Sequence, residues 1–153
     1  MNTLQILNVL KNDPFTKSVL TDVLPLDLLP NQIKKKPRGF ILNVDTSNGP
    51  GTHWISIYIT ADGKGEFFDS YGEPPEFYSR NFETFLEDHS STFTWNEKTL
   101  QSPWSRVCGQ YCLFYALHRS RNISMSTIVN MFTDQRDWND TLVRNFIRKW
   151  YFV

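Results

Sequence analysis

Apolar side chains Leu4, Leu7 and Leu10 recur at helical spacing near the start of the chain, with Ile6 and Val9 widening the face. The pattern predicts an amphipathic helix that Asn2 or Thr3 can cap and Asp13-Pro14 can end. Over residues 14–38 the periodicity fails. Pro14, Pro25, Pro30 and Pro37 interrupt short apolar clusters, and an irregular wrapping segment is expected. Residues 40–44 form a mostly apolar run suited to a central strand. After the turn-rich Ser47-Asn48-Gly49-Pro50-Gly51, residues 53–60 alternate Ile55, Ile57 and Ile59 against Trp54, Ser56 and Tyr58, a strand pattern. Asp62-Gly63 marks a turn, and residues 66–70 read as the return strand.

Further on, Phe82, Phe85 and Leu86 share one face of a helix expected over 77–88, and short strands are expected near 93–95 and 98–100. Cys112, Leu113, Tyr115, Ala116 and Leu117 predict a helix over 109–119, buried on most sides. Another is expected over 125–132 with Ser124 as its cap. The last helix sets Trp138, Leu142, Phe146 and Trp150 four apart, with Val143 and Ile147 beside them and Arg144 and Arg148 toward water. No internal repeat or linker interrupts the series, so a single α+β domain over 1–153 is expected.

Composition narrows the classes. Of 153 residues, 40% are hydrophobic and 15% aromatic, which implies a globular, aromatic-packed interior rather than disorder. Lysine plus arginine and aspartate plus glutamate number 16 each, so no bulk charge argues for DNA or another acidic partner. The one basic cluster, Lys34-Lys35-Lys36-Pro37-Arg38, reads as a solvated loop. Two cysteines do not make a disulfide scaffold, and a reducing compartment would preserve a reactive thiol. The first seven residues lack the charged start and apolar run of a signal peptide, and no stretch is long enough to span a bilayer. A soluble intracellular protein with no membrane contact is the expectation.

The candidate chemistry lies in Gln101-Ser102-Pro103-Trp104-Ser105-Arg106-Val107-Cys108-Gly109, downstream of Thr52-His53-Trp54 and Phe67-Phe68-Asp69. If Tyr58 faces Lys64 across a turn of residues 59–63, His53 falls opposite Asp69, and opposed antiparallel residues have Cβ atoms about 4.5–5.5 Å apart. The carboxylate would then fix the imidazole tautomer and leave the other nitrogen for a thiol proton. Cys108 begins the buried helix, whose free N–H groups and dipole favour a thiolate. Gly109 would let a substrate carbonyl approach the backbone, and the Gln101 amide could donate to an oxyanion. Taken singly, each residue has a duller explanation: a packed cysteine, a strand-end histidine, a strand-end acid, a loop glutamine. Only their order argues for a site. Cys112 reads as an inert buried thiol, and His89 and His118 as structural or exposed. A zinc site from Cys108, Cys112, His53 and His118 is disfavoured by the Cys-x₃-Cys spacing, so no metal or cofactor is expected.

These segments resemble the adenovirus-type cysteine protease (adenain) family and, more distantly, the SUMO- and ubiquitin-like-specific proteases of the same fold. The resemblance runs through Ile41-Leu42-Asn43, Gly51-Thr52-His53-Trp54, Phe67-Phe68-Asp69-Ser70-Tyr71-Gly72 and Gln101-x-Pro103-x-Ser105-x-x-Cys108-Gly109. It implies a mixed central β-sheet packed by helices, with the catalytic cysteine at the N-terminus of a buried helix. It also implies Cys108 as nucleophile, His53 as base, Asp69 as orienting acid, and Gln101 with the Cys108 N–H as oxyanion hole. Aspartate at position 69 matches the SUMO-protease branch, whereas the adenoviral members carry glutamate. With cysteine only at 108 and 112, an activating peptide would have to bind non-covalently. The expected activity is a cysteine endopeptidase processing viral or virus-like structural precursors, in the host nucleus or the virion. The rival is an isopeptidase acting on a ubiquitin-like modifier. A thiol-dependent acetyltransferase and a silent binding module are the remaining alternatives.

Overall fold

The computed structural model describes residues 1–20 and 22–153. Helix α1 (Thr3–Asn12) opens with a capping box, in which Asn2 accepts from the Gln5 N–H and Gln5 accepts from the Asn2 N–H. This ties down two of the four free N–H groups of the first turn. Among the described residues five strands follow: β1 (Asp22–Pro25), β2 (Arg38–Asn43), β3 (Trp54–Ile59), β4 (Gly65–Phe68) and β5 (Phe93–Trp95). They form one mixed sheet in the order β1-β2-β3-β4-β5, antiparallel at its centre and parallel at both edges. Helices α2 (Pro75–Tyr78) and α3 (Arg80–His89) precede β5, and α4 (Cys108–Arg119), α5 (Met125–Val129) and α6 (Arg136–Tyr151) complete the chain.

The alternation in β3 has a simple cause. Ile55, Ile57 and Ile59 pack with Phe40, Leu42, Phe67 and the Phe82–Phe85–Leu86 face of α3. Trp54 and Tyr58 pack on the other side with α1, α4 and α6. With helices on both faces, the strand is buried along its whole length. Helix α4 lies within that second cluster and is apolar nearly all round, with Tyr111 and Tyr115 fully enclosed.

Several expectations are corrected. The proline-rich segment contains β1, a short edge strand that Pro25 closes, and a 3₁₀ turn over Leu26–Leu28. Four residues are too few to show an alternation, and proline is tolerated at an edge. The helix expected over 77–88 is two helices, because Ser79 is extended and its hydroxyl caps α3 through the Asn81 N–H. No strand forms at 98–100. Glu97 adopts a left-handed φ of 55°, and the N–H groups of Leu100 and Gln101 both donate to the Ser70 carbonyl. Helix α5 stops at Val129, short of the expected 132. In α6 the buried face is Asn139, Asp140, Val143 and Ile147, while Trp138 and Trp150 are each 59% exposed. The two polar members of that face, Asn139 and Asp140, hold the loop at residues 100–102.

Candidate active site

The β3–β4 hairpin sets Tyr58 opposite Glu66 and Ser56 opposite Phe68, not Tyr58 opposite Lys64 as expected. The turn is tighter than assumed: Thr60 N–H donates to the Lys64 carbonyl at 2.8 Å and Gly63 N–H to the Thr60 carbonyl at 3.0 Å. A slip of two residues leaves every side chain on its face, because the side-chain period of a strand is two. His53 and Asp69 are therefore diagonal neighbours rather than direct partners. They still meet, with His53 Nε2 2.7 Å from Asp69 Oδ1. Asp69 lies just past the end of β4, in a turn closed by the Gly72 N–H on the Asp69 carbonyl at 2.9 Å. Gly72 has φ of 76°, and a Cβ there would sit 2.6 Å from the Lys98 carbonyl carbon, so only glycine fits.

The Asp69 carboxylate is fully buried and takes four hydrogen bonds. Oδ1 accepts from His53 and from the Tyr71 N–H at 3.2 Å, and Oδ2 accepts from the Glu73 N–H at 3.1 Å and the Tyr78 hydroxyl at 2.8 Å. Asn96 brackets its backbone, accepting from the Asp69 N–H at 2.9 Å and donating to the Asp69 carbonyl at 2.6 Å. Tyr71 and Tyr78 flank the imidazole, with ring centroids 5.0 and 5.3 Å away. Tyr78 and Asn96 carry no motif in the sequence and were not anticipated. They are set in place by chain folding, 9 and 27 residues from the acid they hold.

With Nε2 committed to the carboxylate, the other ring nitrogen is left for Cys108. Burial alone would lower the His53 pKa, but hydrogen bonds to Asp69 and Cys108 and their negative charges raise it to about 9. For Cys108, burial pulls upward and is outweighed by the hydrogen bond and charge of His53, aided by the Trp54 and Gly109 N–H groups. Its pKa falls below the ordinary thiol value. The two shifts act in the same direction, toward a thiolate beside an imidazolium. Cys112, one turn along the helix, behaves oppositely. It is fully enclosed, and burial, followed by the charges of Cys108 and Asp69, pushes its pKa well up.

Cys108 is the first residue of α4, and no side chain caps that end of the helix. The positive pole thus faces the sulfur unshielded by a capping oxygen. Gly109 also serves packing. A Cβ there would lie 3.2 Å from Met1 Cβ, 3.4 Å from Trp54 Cδ1 and 3.5 Å from Ile6 Cδ1, so its bareness admits the N-terminal helix and Trp54.

Gln101 is 1% exposed. Its loop is pinned from several sides. Asn139 Nδ2 and the Tyr111 hydroxyl donate to the Leu100 carbonyl at 3.0 and 3.1 Å, and the Ser102 N–H donates to Asp140 at 3.3 Å. His53, Cys108 and Gln101 open onto one cleft of about 640 Å³, walled also by Trp54, Tyr71 and Arg106. The four expected residues are thus gathered at one place. The remaining histidines are not part of it: His89 Nδ1 and His118 Nδ1 each meet a carbonyl of their own helix, Phe85 at 2.8 Å and Phe114 at 2.7 Å. Among the described residues, no three acidic, histidine or cysteine side chains cluster as metal ligands would. Nor, among them, is any helix long and apolar enough to cross a membrane.

No protein-family model matches the chain. Among curated proteins, it is 31% identical over 101 residues to the cysteine protease S273R of African swine fever virus (a Tick/Malawi isolate), covering 60% of this chain and 37% of that protein. The match to the SUMO-1 cysteine protease S273R of a Tick/South Africa isolate is 28% over 117 residues, 69% of this chain and 43% of that one. The chain is a relative of these viral cysteine proteases. The likeness is to proteases of that name, and the mixed α+β architecture expected from the sequence is the one observed. The chain spans about two-fifths of the length of the curated relatives it matches. The central domain of Lpg1148 from Legionella pneumophila shares the fold, with a TM-score of 0.52 at 13% identity over 97% of this chain and 94% of that domain.

Proposed function

We propose that residues 1–153 act as one cysteine protease domain, with Cys108 as nucleophile, His53 as base and then acid, Asp69 as orienting carboxylate and Gln101 as oxyanion donor. One observation carries this reading: the 2.7 Å His53–Asp69 contact beside a thiol of lowered pKa at the uncapped start of α4. The thiolate attacks the scissile carbonyl, and the oxyanion is held by the Cys108 N–H and the Gln101 amide. His53 protonates the departing amine. Water, deprotonated by His53, then resolves the thioester. Asp69 keeps the ring aligned and stabilises its charged form throughout.

The substrate is a polypeptide. Processing of viral structural precursors at small-residue sites, in an infected cell or the virion, is the reading we favour. Removal of a ubiquitin-like modifier is the second, supported by the name SUMO-1 cysteine protease that one relative carries. Any activating peptide would bind non-covalently, because the cysteines are the nucleophile and an enclosed thiol. The zero formal charge gives DNA no general hold.

The test is digestion of a peptide library and a capsid-type precursor by the wild type and by Cys108→Ala. Cleavage should fall to background in the variant while its circular dichroism is retained; equal turnover by both would reject the assignment. A modifier-derived C-terminal probe separates the readings. Rapid labelling of Cys108 favours the isopeptidase, and selective precursor cleavage favours the endopeptidase.

A further inference from the structure

The Gln101 amide is gripped at both ends. Its Oε1 accepts from the Ser70 hydroxyl at 2.6 Å, and its Nε2 donates to the Ser105 carbonyl at 3.1 Å and the Ser105 hydroxyl at 3.0 Å. The Ser105 hydroxyl in turn donates to the Ser102 carbonyl at 3.1 Å. Every proton in this run has one direction. A carbonyl oxygen can only accept, so the face toward Ser105 must be the amide nitrogen, and the face toward Ser70 must be the amide oxygen. The reversed amide would set two carbonyl oxygens against each other and leave Ser70 without an acceptor.

Ser70 is fully buried and follows the acid Asp69 directly. Its carbonyl also accepts the Leu100 and Gln101 N–H groups at 2.8 and 3.0 Å. One residue thus fixes both the backbone and the side chain of the oxyanion donor. An amide that could turn over would present its oxygen to the cleft part of the time, and an oxygen there repels a developing oxyanion.

We propose that Ser70 is a positioning residue for the thiol-protease reaction. Its hydroxyl helps lock the Gln101 amide with the NH₂ toward Ser105 on the wall of the cleft, so that the bend past β4 aligns the base and the oxyanion donor together. As the tetrahedral adduct forms, Gln101 Nε2 exchanges a neutral contact with Ser105 for a charge-assisted one to the oxyanion. This inference rests on the protease reading for its kinetic consequence, but the orientation of the amide can be read without turnover.

The experiment compares wild type, Ser70→Ala, Gln101→Ala and the double variant. The expected result for Ser70→Ala is a fall in kcat of about tenfold with KM unchanged, below the roughly 10²–10³-fold cost of deleting a donor outright. Alkylation of Cys108 should keep its rate and pH profile, and Ser70→Ala should cost nothing further once Gln101 is alanine. Unchanged kcat, or a full additional loss in the Gln101→Ala background, overturns the proposal. In parallel, NMR of the Gln101 side-chain NH₂ in a Cys108→Ala background should give slowly exchanging protons that exchange faster without the Ser70 hydroxyl; no change overturns it. If the wild type cleaves nothing, the protease reading fails and this second measurement still decides Ser70. Should Ser70→Ala not fold, Ser70→Cys keeps the volume with a weak S–H donor, and a folded Ser70→Cys at full kcat overturns the proposal.

Discussion

The two halves of the site are built by different means. His53 and Asp69 are 16 residues apart on a hairpin whose ladder brings them together, and the acid takes three of its four hydrogen bonds from residues 71–78. Gln101 sits on a loop with no regular structure, held by α6 residues 38 and 39 positions further along, by Tyr111 and by Ser70. Cys108 needs only the start of α4, but that start faces His53 because α4 packs on the sheet. On the proposed roles, the acid–base half is therefore local, and the oxyanion half is tertiary. A local device survives loosening of the fold, whereas one held by distant side chains is lost when any tether is cut.

The largest expected effect breaks the local half. Asp69→Ala should lower kcat by about 10³–10⁴-fold, since the imidazole loses both its tautomer control and the stabilisation of its charged form. Steady-state kinetics with near-normal KM would check it, and activity within a few-fold of wild type would contradict it.

The next effect sharpens the same half. In the wild type, Cys108 should alkylate at lower pH than an ordinary thiol, because the imidazolium of His53 stands beside it until it releases its proton near pH 9. His53→Ala should remove the acid-side reactivity and raise the apparent thiol pKa, measured as iodoacetamide rate against pH. The direction follows from the pairing: a cation beside the sulfur favours the thiolate, and its removal leaves burial to push the value upward. For the same reason, turnover should fall on the alkaline side near pH 9 as the general acid is lost.

Asn139→Ala tests the tertiary half. Its amide donates to the Leu100 and Thr133 carbonyls from a fully buried position. Its loss leaves the Thr133 carbonyl and N–H without this partner and the Leu100 carbonyl with only the Tyr111 hydroxyl, which should cost about 1–3 kcal/mol of stability. Thermal unfolding would show this, together with a fall in kcat that spares Cys108 alkylation. If alkylation and kcat fall in parallel, the halves are not separable. The smallest change is expected for Gly109→Ala. Met1 must give by a few tenths of an ångström while Trp54 and Ile6 stay at ordinary contact, and the gain in helix propensity offsets part of that. Stability should move by no more than about 1 kcal/mol with kcat preserved; a large loss in kcat at unchanged stability would favour the substrate-approach role.

Legibility followed the same division. The strands at 40–44 and 53–60 and the helices near 4–12 and 109–119 were readable because their periodicity reports burial directly. The hairpin register was misjudged by two residues because the turn length was assumed, yet the site residues were unaffected, since an even slip preserves faces. Tyr78, Asn96, Asn139 and Asp140 were invisible, as ordinary polar residues whose partners lie far along the chain. Strand β1 was masked by its proline and its brevity.

The sequence by itself determined which residue types are present for thiol chemistry, their order, and the two faces of β3. These depend on local periodicity and on side-chain chemistry, which neighbours in the chain already express. Only the tertiary structure decided that Asp69 reaches His53 diagonally from beyond the strand, that Gly109 makes room for α1, and that the Gln101 amide is oriented by Ser70 and Ser105. Those outcomes rest on hydrogen bonds and contacts between segments distant in the chain. Their geometry exists only once the sheet and α4 have packed against each other.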